Sequence, residues 1–168
     1  LSKQAYFRPK RSVKNKMRID LNSDLGESFG PWPMGQDAAL MDSISSANVA
    51  CGFHAGDPVV MDTTVRAALA RGVDLGAHVS FPDLAGFGRR PMQMEPRELE
   101  LHVIYQLGAL EGIARAAGHR ITHVNAHGAL GTIRKTFNLL ARPLEPLDMR
   151  IAIGAHGGSQ ALREGLKS

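Results

Sequence analysis

The sequence predicts an α/β protein built on a parallel sheet. Strand patterns and helix patterns alternate along its 168 residues, which is the order typical of parallel βα units. Glycine reaches 18 residues while aromatic residues make up only 5%, a balance that favours turn-rich α/β architecture over a β-sandwich. We find neither a sequence repeat nor a low-complexity tract, so one domain over residues 17–168 is expected.

Five short segments have the pattern of strands. They are residues 17–22, 47–51, 73–78, 121–125 and 149–154. The first helix is expected to begin at Asp57-Pro58, with Asp as N-cap and Pro in the first turn, and to end before Gly72. The second and longest helix is predicted over 97–117, where apolar residues recur every three or four positions. A third helix is expected over 130–141, and the Gly/Pro-rich segment 79–96 is expected to be a functional loop.

Composition excludes several classes of protein. Hydrophobic residues make up 43% and charged residues 21%, so a packed core is expected and global disorder is excluded. No apolar run approaches the roughly 20 residues that span a bilayer. The lone Cys51 excludes an intrachain disulfide framework and indicates a reducing compartment, so a cytoplasmic location is expected.

The net charge of +4 comes from a basic tail over residues 1–16. This tail holds six basic residues and no acidic one, and residues 17–168 carry 14 basic and 16 acidic residues. Such a tail can bind nucleic acid or an anionic membrane, or serve as a presequence. Because Met17 stands directly before the first strand, we favour a disordered or non-native tail, which is either translated upstream sequence or, as we prefer, a remnant of cloning. We expect no nucleic-acid or membrane partner.

Polar side chains follow the expected strands in turn. They are Asp24 and Glu27, then His54 and Asp57, then His78 and Asp83, then His127, and His156 after the fifth strand. In parallel α/β folds such groups meet at the carboxyl edge of the sheet. Two uses remain open: a divalent-metal site, for which Asp24, His54, His78 and His127 are the candidate ligands, or general acid–base catalysis.

Two further motifs each have two interpretations. Asp57 is either a helix cap or a catalytic carboxylate. Arg89-Arg90 either binds an anionic substrate through forked hydrogen bonds or is a solvated pair in the loop. The sequence contains no GxxxxGK[ST] motif, so a P-loop for ATP is absent.

Four ordered blocks resemble the LamB/YcsF family. They are IDLNSDLGESFG at 19–30, ANVACGFHAGDP at 47–58, GAH-x-S-x-PDLAGFGRR at 76–90 and HGAL at 127–130. This is the lactam-utilisation family, whose members are known as the A-type subunit of bacterial 5-oxoprolinase. The resemblance implies a β/α barrel of the glycoside hydrolase/deacetylase type, here incomplete with about five βα units.

The resemblance also implies a function and a set of site residues. It implies ATP-dependent opening of the 5-oxoproline lactam to give glutamate, with subunits B and C as partners. The matched site positions are Asn22, Asp24, Glu27, His54, Asp57, His78, Arg89, Arg90 and His127. Among them we expect Asn22, Arg89 and Arg90 to bind the small-molecule substrate and the others to be catalytic.

The chain also departs from the family pattern. Ser23, Val79 and Asn125-Ala126 stand where the family usually has Cys, Pro and Lys-Pro, and the match weakens beyond residue 130. A truncated or frame-disrupted product, poorly active alone, is therefore expected. Two alternatives stay open: a stand-alone metal-dependent hydrolase or deacetylase acting on a carbohydrate-like amide, and a non-catalytic remnant that only binds partner subunits.

Overall fold

The structure of the chain, a computed structural model, describes residues 19–132 and 150–151. Within these residues five parallel strands form one sheet in sequential order, a topology that confirms the predicted parallel α/β architecture. The strands are β1 (Asn22–Leu25), β2 (Ser46–Ala50), β3 (Asp74–Val79), β4 (Ile121–Ala126) and β5 (Arg150–Ile151). The helices are α1 (Asp37–Met41), α2 (Pro58–Arg71), α3 (Pro96–Ala116) and α4 (Gly128–Gly131).

Helix α2 shows why this sequence forms its elements where it does. The Asp57 side chain caps the helix by accepting from the Val59 and Val60 backbone N–H groups at 2.8 and 3.0 Å. Pro58 occupies the first turn, where its missing N–H costs nothing. Gly72 ends the helix in a left-handed conformation with φ +65°. The predicted start and end of this helix are confirmed.

The two faces of the sheet differ in polarity. Alternate residues of β2 and β3 point outward and pack with α2 and α3 in the apolar core, including Val49, Leu75, Ala77 and Val79. The alternating residues on the other face of β2 and β3 include the polar side chains of Ser46, Asn48 and His78, and β4 adds His123 and Asn125. All five are buried as well. The core therefore lies outside the sheet, and the chemistry lies on its inner face.

Two elements differ from the sequence-based expectation, and three expected segments lie wholly or largely outside the described residues. The first strand was expected over 17–22, but β1 begins at Asn22, and Ile19 and Leu21 are exposed. Helix α1 was not predicted, because five residues with a single buried side chain leave no periodic signal. The basic tail over 1–16, most of the helix expected over 130–141 and most of the strand expected over 149–154 lie outside the described residues.

The architecture is that of an incomplete α/β barrel. Strands β1 to β4 pair in parallel with their sequence neighbours, so their carboxyl ends lie side by side at one edge of the sheet. The site is therefore expected at this carboxyl edge.

Among the described helices, none is both long enough and apolar enough to cross a membrane.

Candidate active site

Three histidines and a glutamate converge at the carboxyl edge of the sheet. Glu27 follows β1, His54 follows β2, His78 is in β3 and His127 follows β4. One side-chain nitrogen or oxygen atom from each of the four lies within 4.8 Å of the others. Residues that are up to 100 positions apart in the chain thus form one cluster, which we call the His–Glu cluster.

The distances within the His–Glu cluster are short. Glu27 Oε1 lies 3.3 Å from His54 Nε2, 4.0 Å from His78 Nε2 and 3.8 Å from His127 Nδ1. His78 Nε2 and His127 Nδ1 are 2.9 Å apart. Asp24, which is half exposed, places Oδ2 3.4 Å from His78 Nε2. Four of the predicted site residues therefore meet at one point, and Asp24 lies beside one of them.

Backbone carbonyls orient two of the three imidazoles. His78 Nδ1 donates to the carbonyl of Asn125 at 3.2 Å, and His127 Nε2 donates to the carbonyl of Phe87 at 2.8 Å. Since a carbonyl can only accept, each of these ring nitrogens carries the proton. His54 differs, because its buried Nδ1 has no hydrogen-bond partner among the described residues.

The loop that carries Phe87 is held in close contact with the cluster. Gly88 has φ +64°, and a Cβ atom there would lie 2.9 Å from both His127 Cδ2 and His54 Cβ. The Gly88 carbonyl also accepts from the Ala129 N–H at 2.9 Å. Only glycine combines this conformation with this approach. The family-like block around residues 82–90 is therefore part of the wall of the site.

Asp83 stabilises the same loop through hydrogen bonds and an ion pair. Its buried carboxylate accepts from the Gly86 N–H at 3.0 Å and from Arg90 Nε at 2.9 Å, and Arg90 adds a second guanidinium contact. Hydrogen bonds from Arg90 lower the pKa of Asp83 below its ordinary value. Arg90 therefore stabilises the loop through Asp83, while its expected contact with substrate stays a prediction.

Gln106 is a residue that sequence analysis placed only in the helical pattern of α3. It is buried, and its amide forms two hydrogen bonds with the backbone of Ser80, two residues beyond His78. A buried glutamine among apolar helix positions was the signal that could have indicated such a role. Gln106 thereby sets the path of the chain as it leaves β3.

Burial keeps two of the imidazoles neutral. It lowers the pKa of His54 to about 3, assisted by the nearby charge of His78. It likewise lowers the pKa of His127 to about 4, assisted by His54 and His78. At neutral pH these two rings therefore present lone pairs rather than positive charges.

The pKa values of Glu27 and Asp24 are shifted in opposite directions. Burial raises the pKa of Glu27, although the charges of His78 and His127 partly oppose the shift. Burial would also raise the pKa of Asp24, but hydrogen bonds from His78 and Asn48 outweigh it and bring the pKa well below its usual value. Glu27 is thus the carboxylate better suited to carry a proton, and Asp24 stays ionised.

An open cleft of about 250 Å³ leads to the cluster. Glu27 and His54 form part of its wall, together with the rings of Phe29, Trp32 and Phe87. Trp32 is 68% exposed at this cleft. Arg89 lies over the face of Phe87, with its guanidinium carbon 5.3 Å from the ring centroid. The cleft thus has apolar walls beside the His–Glu cluster, and Arg89 lies against one of the rings that form them.

The remaining predicted residues have structural contacts. Both oxygens of Asp57 are used, one by the α2 cap and the other by the Gly30 N–H at 2.8 Å, which supports the cap interpretation. The Asn22 amide donates to Ser46 Oγ at 2.7 Å and to Asn48 Oδ1 at 3.2 Å. Asn48 in turn donates to Asp24 at 2.8 Å, so Asn22 reaches the cluster only through other side chains.

Cys51 lies close to the cluster in sequence but takes no part in it. It is buried, its thiol contacts the Val49 carbonyl at 3.1 Å, and burial raises its pKa to about 12. A thiol in that state is not a nucleophile at neutral pH. The prediction that Cys51 packs as a small hydrophobic residue agrees with this environment.

Comparison with known proteins gives consistent matches. The model of the LamB/YcsF family matches residues 19–145. A 5-oxoprolinase A-type subunit of Pseudomonas syringae pv. tomato is 67% identical over 128 residues, which are 76% of this chain and 50% of that protein. The 5-oxoprolinase A-type subunit of Methylococcus capsulatus is 54% identical over 151 residues, 88% of this chain and 58% of that protein.

A solved structure agrees with the fold. The crystal structure of a lactam utilization protein from Thermus thermophilus is similar with a TM-score of 0.81 and 41% sequence identity. The match covers 90% of this chain and 63% of that one. The chain spans about half the length of the curated relatives that it matches. The incomplete barrel predicted from the sequence is confirmed.

Proposed function

The chain belongs to the LamB/YcsF family, and on that premise we propose that its site opens the lactam of 5-oxo-L-proline to give L-glutamate, within the multi-subunit assembly of an ATP-dependent 5-oxoprolinase. One observation carries the proposal. Three histidines and two carboxylates converge beside a cleft that has apolar walls and a cation. Hydrolysis of a cyclic amide needs groups that transfer protons and a cation or hydrogen-bond donor for the developing charge, and these side chains can supply both.

The chemistry assigns roles to the two carboxylates. Water adds to the carbonyl carbon, the ring C–N bond breaks, and the released amine takes up a proton. Glu27, whose pKa is raised by burial, is suited to take the proton from water and return it to the amine. Asp24 stays ionised, with its Oδ2 atom 3.4 Å from His78 Nε2.

The cleft suits the substrate in shape and charge. The rings of Phe29, Trp32 and Phe87 can contact the flat lactam, and the exposed Arg89 can pair with its carboxylate. Arg90 is engaged by Asp83, so among the two neighbouring arginines we assign substrate binding to Arg89. Asn22 supports Asp24 through Asn48, without contacting the cleft itself.

ATP and the partner subunits B and C complete the proposal. The sequence has no P-loop motif, and the chain spans about half the length of its curated relatives. Because the sequence lacks that motif, we assign the phosphate contacts in part to the partners and expect turnover to depend on them. A cytoplasmic assembly fits the single, buried cysteine.

The test is ATP-dependent release of glutamate from 5-oxoproline by the chain assembled with subunits B and C. We expect Glu27→Gln and His78→Ala to lower turnover by about 100-fold or more, the usual size of a lost acid–base contribution. His119→Gln is the matched control, because His119 contacts the Val73 carbonyl at the other end of the sheet. Unchanged turnover in Glu27→Gln would refute the assignment, and full turnover by the isolated chain would refute the dependence on partners.

A second candidate function is favoured by the composition of the His–Glu cluster. Three imidazoles and a carboxylate within 4.8 Å are typical ligands of a metal-dependent hydrolase acting on an amide without ATP. Hydrolysis of a carbohydrate-like amide that needs added divalent metal but neither ATP nor partners would select this candidate. Assembly with the partners but no turnover in any assay would instead indicate a chain that only binds its partners.

A further inference from the structure

The hydrogen bonds of His78 and His127 leave two ring nitrogens facing each other with no proton between them when both rings are neutral. Each ring donates its outer N–H to a backbone carbonyl, so the two facing nitrogens, His78 Nε2 and His127 Nδ1, carry lone pairs when the rings are neutral. Those lone pairs face each other at 2.9 Å. Two acceptors at that distance repel each other unless a positive charge lies between or beside them.

A shared proton would relieve only this one pair. Glu27 Oε1 and His54 Nε2 also face the same point, and Glu27 Oε1 lies 3.3–4.0 Å from a nitrogen of all three rings. A single proton cannot bridge four groups, whereas one metal ion can. The four groups together therefore favour a cation that accepts several ligands.

We propose that the His–Glu cluster is the binding site of one divalent transition-metal ion of the zinc class, held by His54, His78, His127 and Glu27. Tetrahedral ligands about 2.0–2.1 Å from zinc are about 3.3 Å from one another. Four of the six separations among the ligand atoms are 2.9, 3.3, 3.8 and 4.0 Å, on both sides of that value, and all six are within 4.8 Å. Only small side-chain shifts are needed to close the cluster around an ion.

The surroundings of the cluster support a metal site. The carbonyls of Asn125 and Phe87 fix the ring orientations of His78 and His127, as outer partners commonly do for metal-bound histidines. Three nitrogen ligands favour zinc, cobalt or nickel over magnesium, which prefers oxygen. Half-exposed Asp24, 3.4 Å from His78 Nε2, stands where it can orient a metal-bound water.

This proposal rests on the proposed function for the chemistry that the ion would perform, which is to polarise the lactam carbonyl or to activate water. Glu27 would bind the ion through Oε1, the oxygen that faces the three rings, and keep Oε2 for the proton. Binding itself needs no turnover. The two proposals can therefore fail separately. Zinc binding without any lactam hydrolysis retains the metal site and removes the proposed function, and turnover by chelator-treated, metal-free enzyme does the reverse.

The experiment is equilibrium dialysis of the full 168-residue chain, stripped with a chelator, against zinc chloride. We expect one zinc ion per chain and no comparable binding of magnesium. His78→Ala and His127→Ala should each weaken zinc binding by about 100-fold or more, since losing even an outer partner of a ligand costs 10–100-fold. His119→Gln should bind as the wild type does. Absence of saturable binding, or a loss below about tenfold in both alanine variants, would overturn the proposal.

A measurement on the wild-type chain protects the test against variants that do not fold. Zinc should shift the ¹⁵N resonances of His78 Nε2 and His127 Nδ1 and leave those of His119 in place. The protonated nitrogens should remain His78 Nδ1 and His127 Nε2, as their carbonyl partners require. Resonances of His78 and His127 that do not respond to zinc would refute the site independently of any substitution.

Discussion

Gln106 Nε2 donates to the Ser80 carbonyl while Gln106 Oε1 accepts from the Ser80 N–H, both at 2.9 Å. The side-chain amide thus provides a hydrogen-bond partner for both the N–H and the carbonyl of Ser80, the residue that follows β3. A third contact, from Nε2 to the His102 carbonyl at 3.0 Å, ties the amide to its own helix. The position of the segment that follows His78 therefore depends on a residue of α3.

Gln106→Leu should destabilise the fold. It leaves the N–H and carbonyl of Ser80 buried without partners, at about 1–3 kcal/mol for each unsatisfied group. We expect the free energy of unfolding to fall by at least about 2 kcal/mol, as measured by urea denaturation. Gln93→Leu, at an exposed loop position, is the control. A loss in Gln106→Leu no larger than in this control would contradict the role.

Gly88→Ala and Gly108→Ala should change stability in opposite directions. At Gly88 the methyl group meets His54 and His127 and the backbone is left-handed, so we expect a loss of more than about 1 kcal/mol. At Gly108, in α3, nothing lies within 4 Å of an added Cβ, so we expect a gain of about 0.5–1 kcal/mol. Thermal unfolding of the two variants measures both changes, and equal behaviour would show that Gly88 is not constrained.

Asp57→Ala should remove a pH-dependent part of the stability. Hydrogen bonds from the backbone of Val60 and Gly30 lower the pKa of Asp57 in the folded state, so its contribution is present above the unfolded pKa of about 3.9. That contribution is lost as the pH falls through the lower, folded pKa. Near neutral pH we expect a cost of about 0.5–2 kcal/mol, typical of a lost N-cap.

The measurement for Asp57 is the difference in unfolding free energy between wild type and Asp57→Ala across an acid titration. The difference should be constant near neutral pH and shrink below about pH 4. Asp62→Ala is the control, since the exposed Asp62–Arg66 pair should contribute about 0–1 kcal/mol. A difference that grows in acid would have the wrong sign.

Arg89→Ala and Arg90→Ala should separate substrate binding from loop stability. In the assembled enzyme, Arg89→Ala should raise KM for 5-oxoproline by about tenfold or more, because a charge-assisted contact is lost. Its stability should stay within about 0.5 kcal/mol of wild type. Arg90→Ala should shift urea unfolding to lower concentration, because it leaves Asp83 buried without its cation. The reverse pattern would exchange the two assignments.

The sequence best predicted those parts of the fold that depend on contacts between residues close together in the chain. The Asp57-Pro58 start and Gly72 end of α2 are decided by contacts within a few residues, so the pattern suffices. Strand β1 is different, because its position depends on pairing of Asn22 with Ser46, 24 residues away. Its inner face is polar, so the apolar alternation around Ile19 and Leu21 indicated the wrong segment.

In the site, too, one part could be predicted from the sequence and another could not. That His54, His78 and His127 converge follows from parallel strands whose carboxyl ends share one edge, and the sequence predicts it. Which nitrogen of each ring faces the cluster could not be predicted. That choice depends on the Phe87 and Asn125 carbonyls, which lie 40 and 47 positions away from the rings they orient.

Phe87 is the non-glycine residue with positive φ among those the structure describes, at φ +54°. Its carbonyl orients His127, its ring supports Arg89, and its side chain lines the cleft. Glycine or asparagine at this position would relieve the backbone but remove the ring, and other aromatic residues would keep the ring and the strain. Selection for thermostability and selection for activity therefore favour different amino acids at position 87, which makes it the place where an engineered, more stable variant is expected to lose function first.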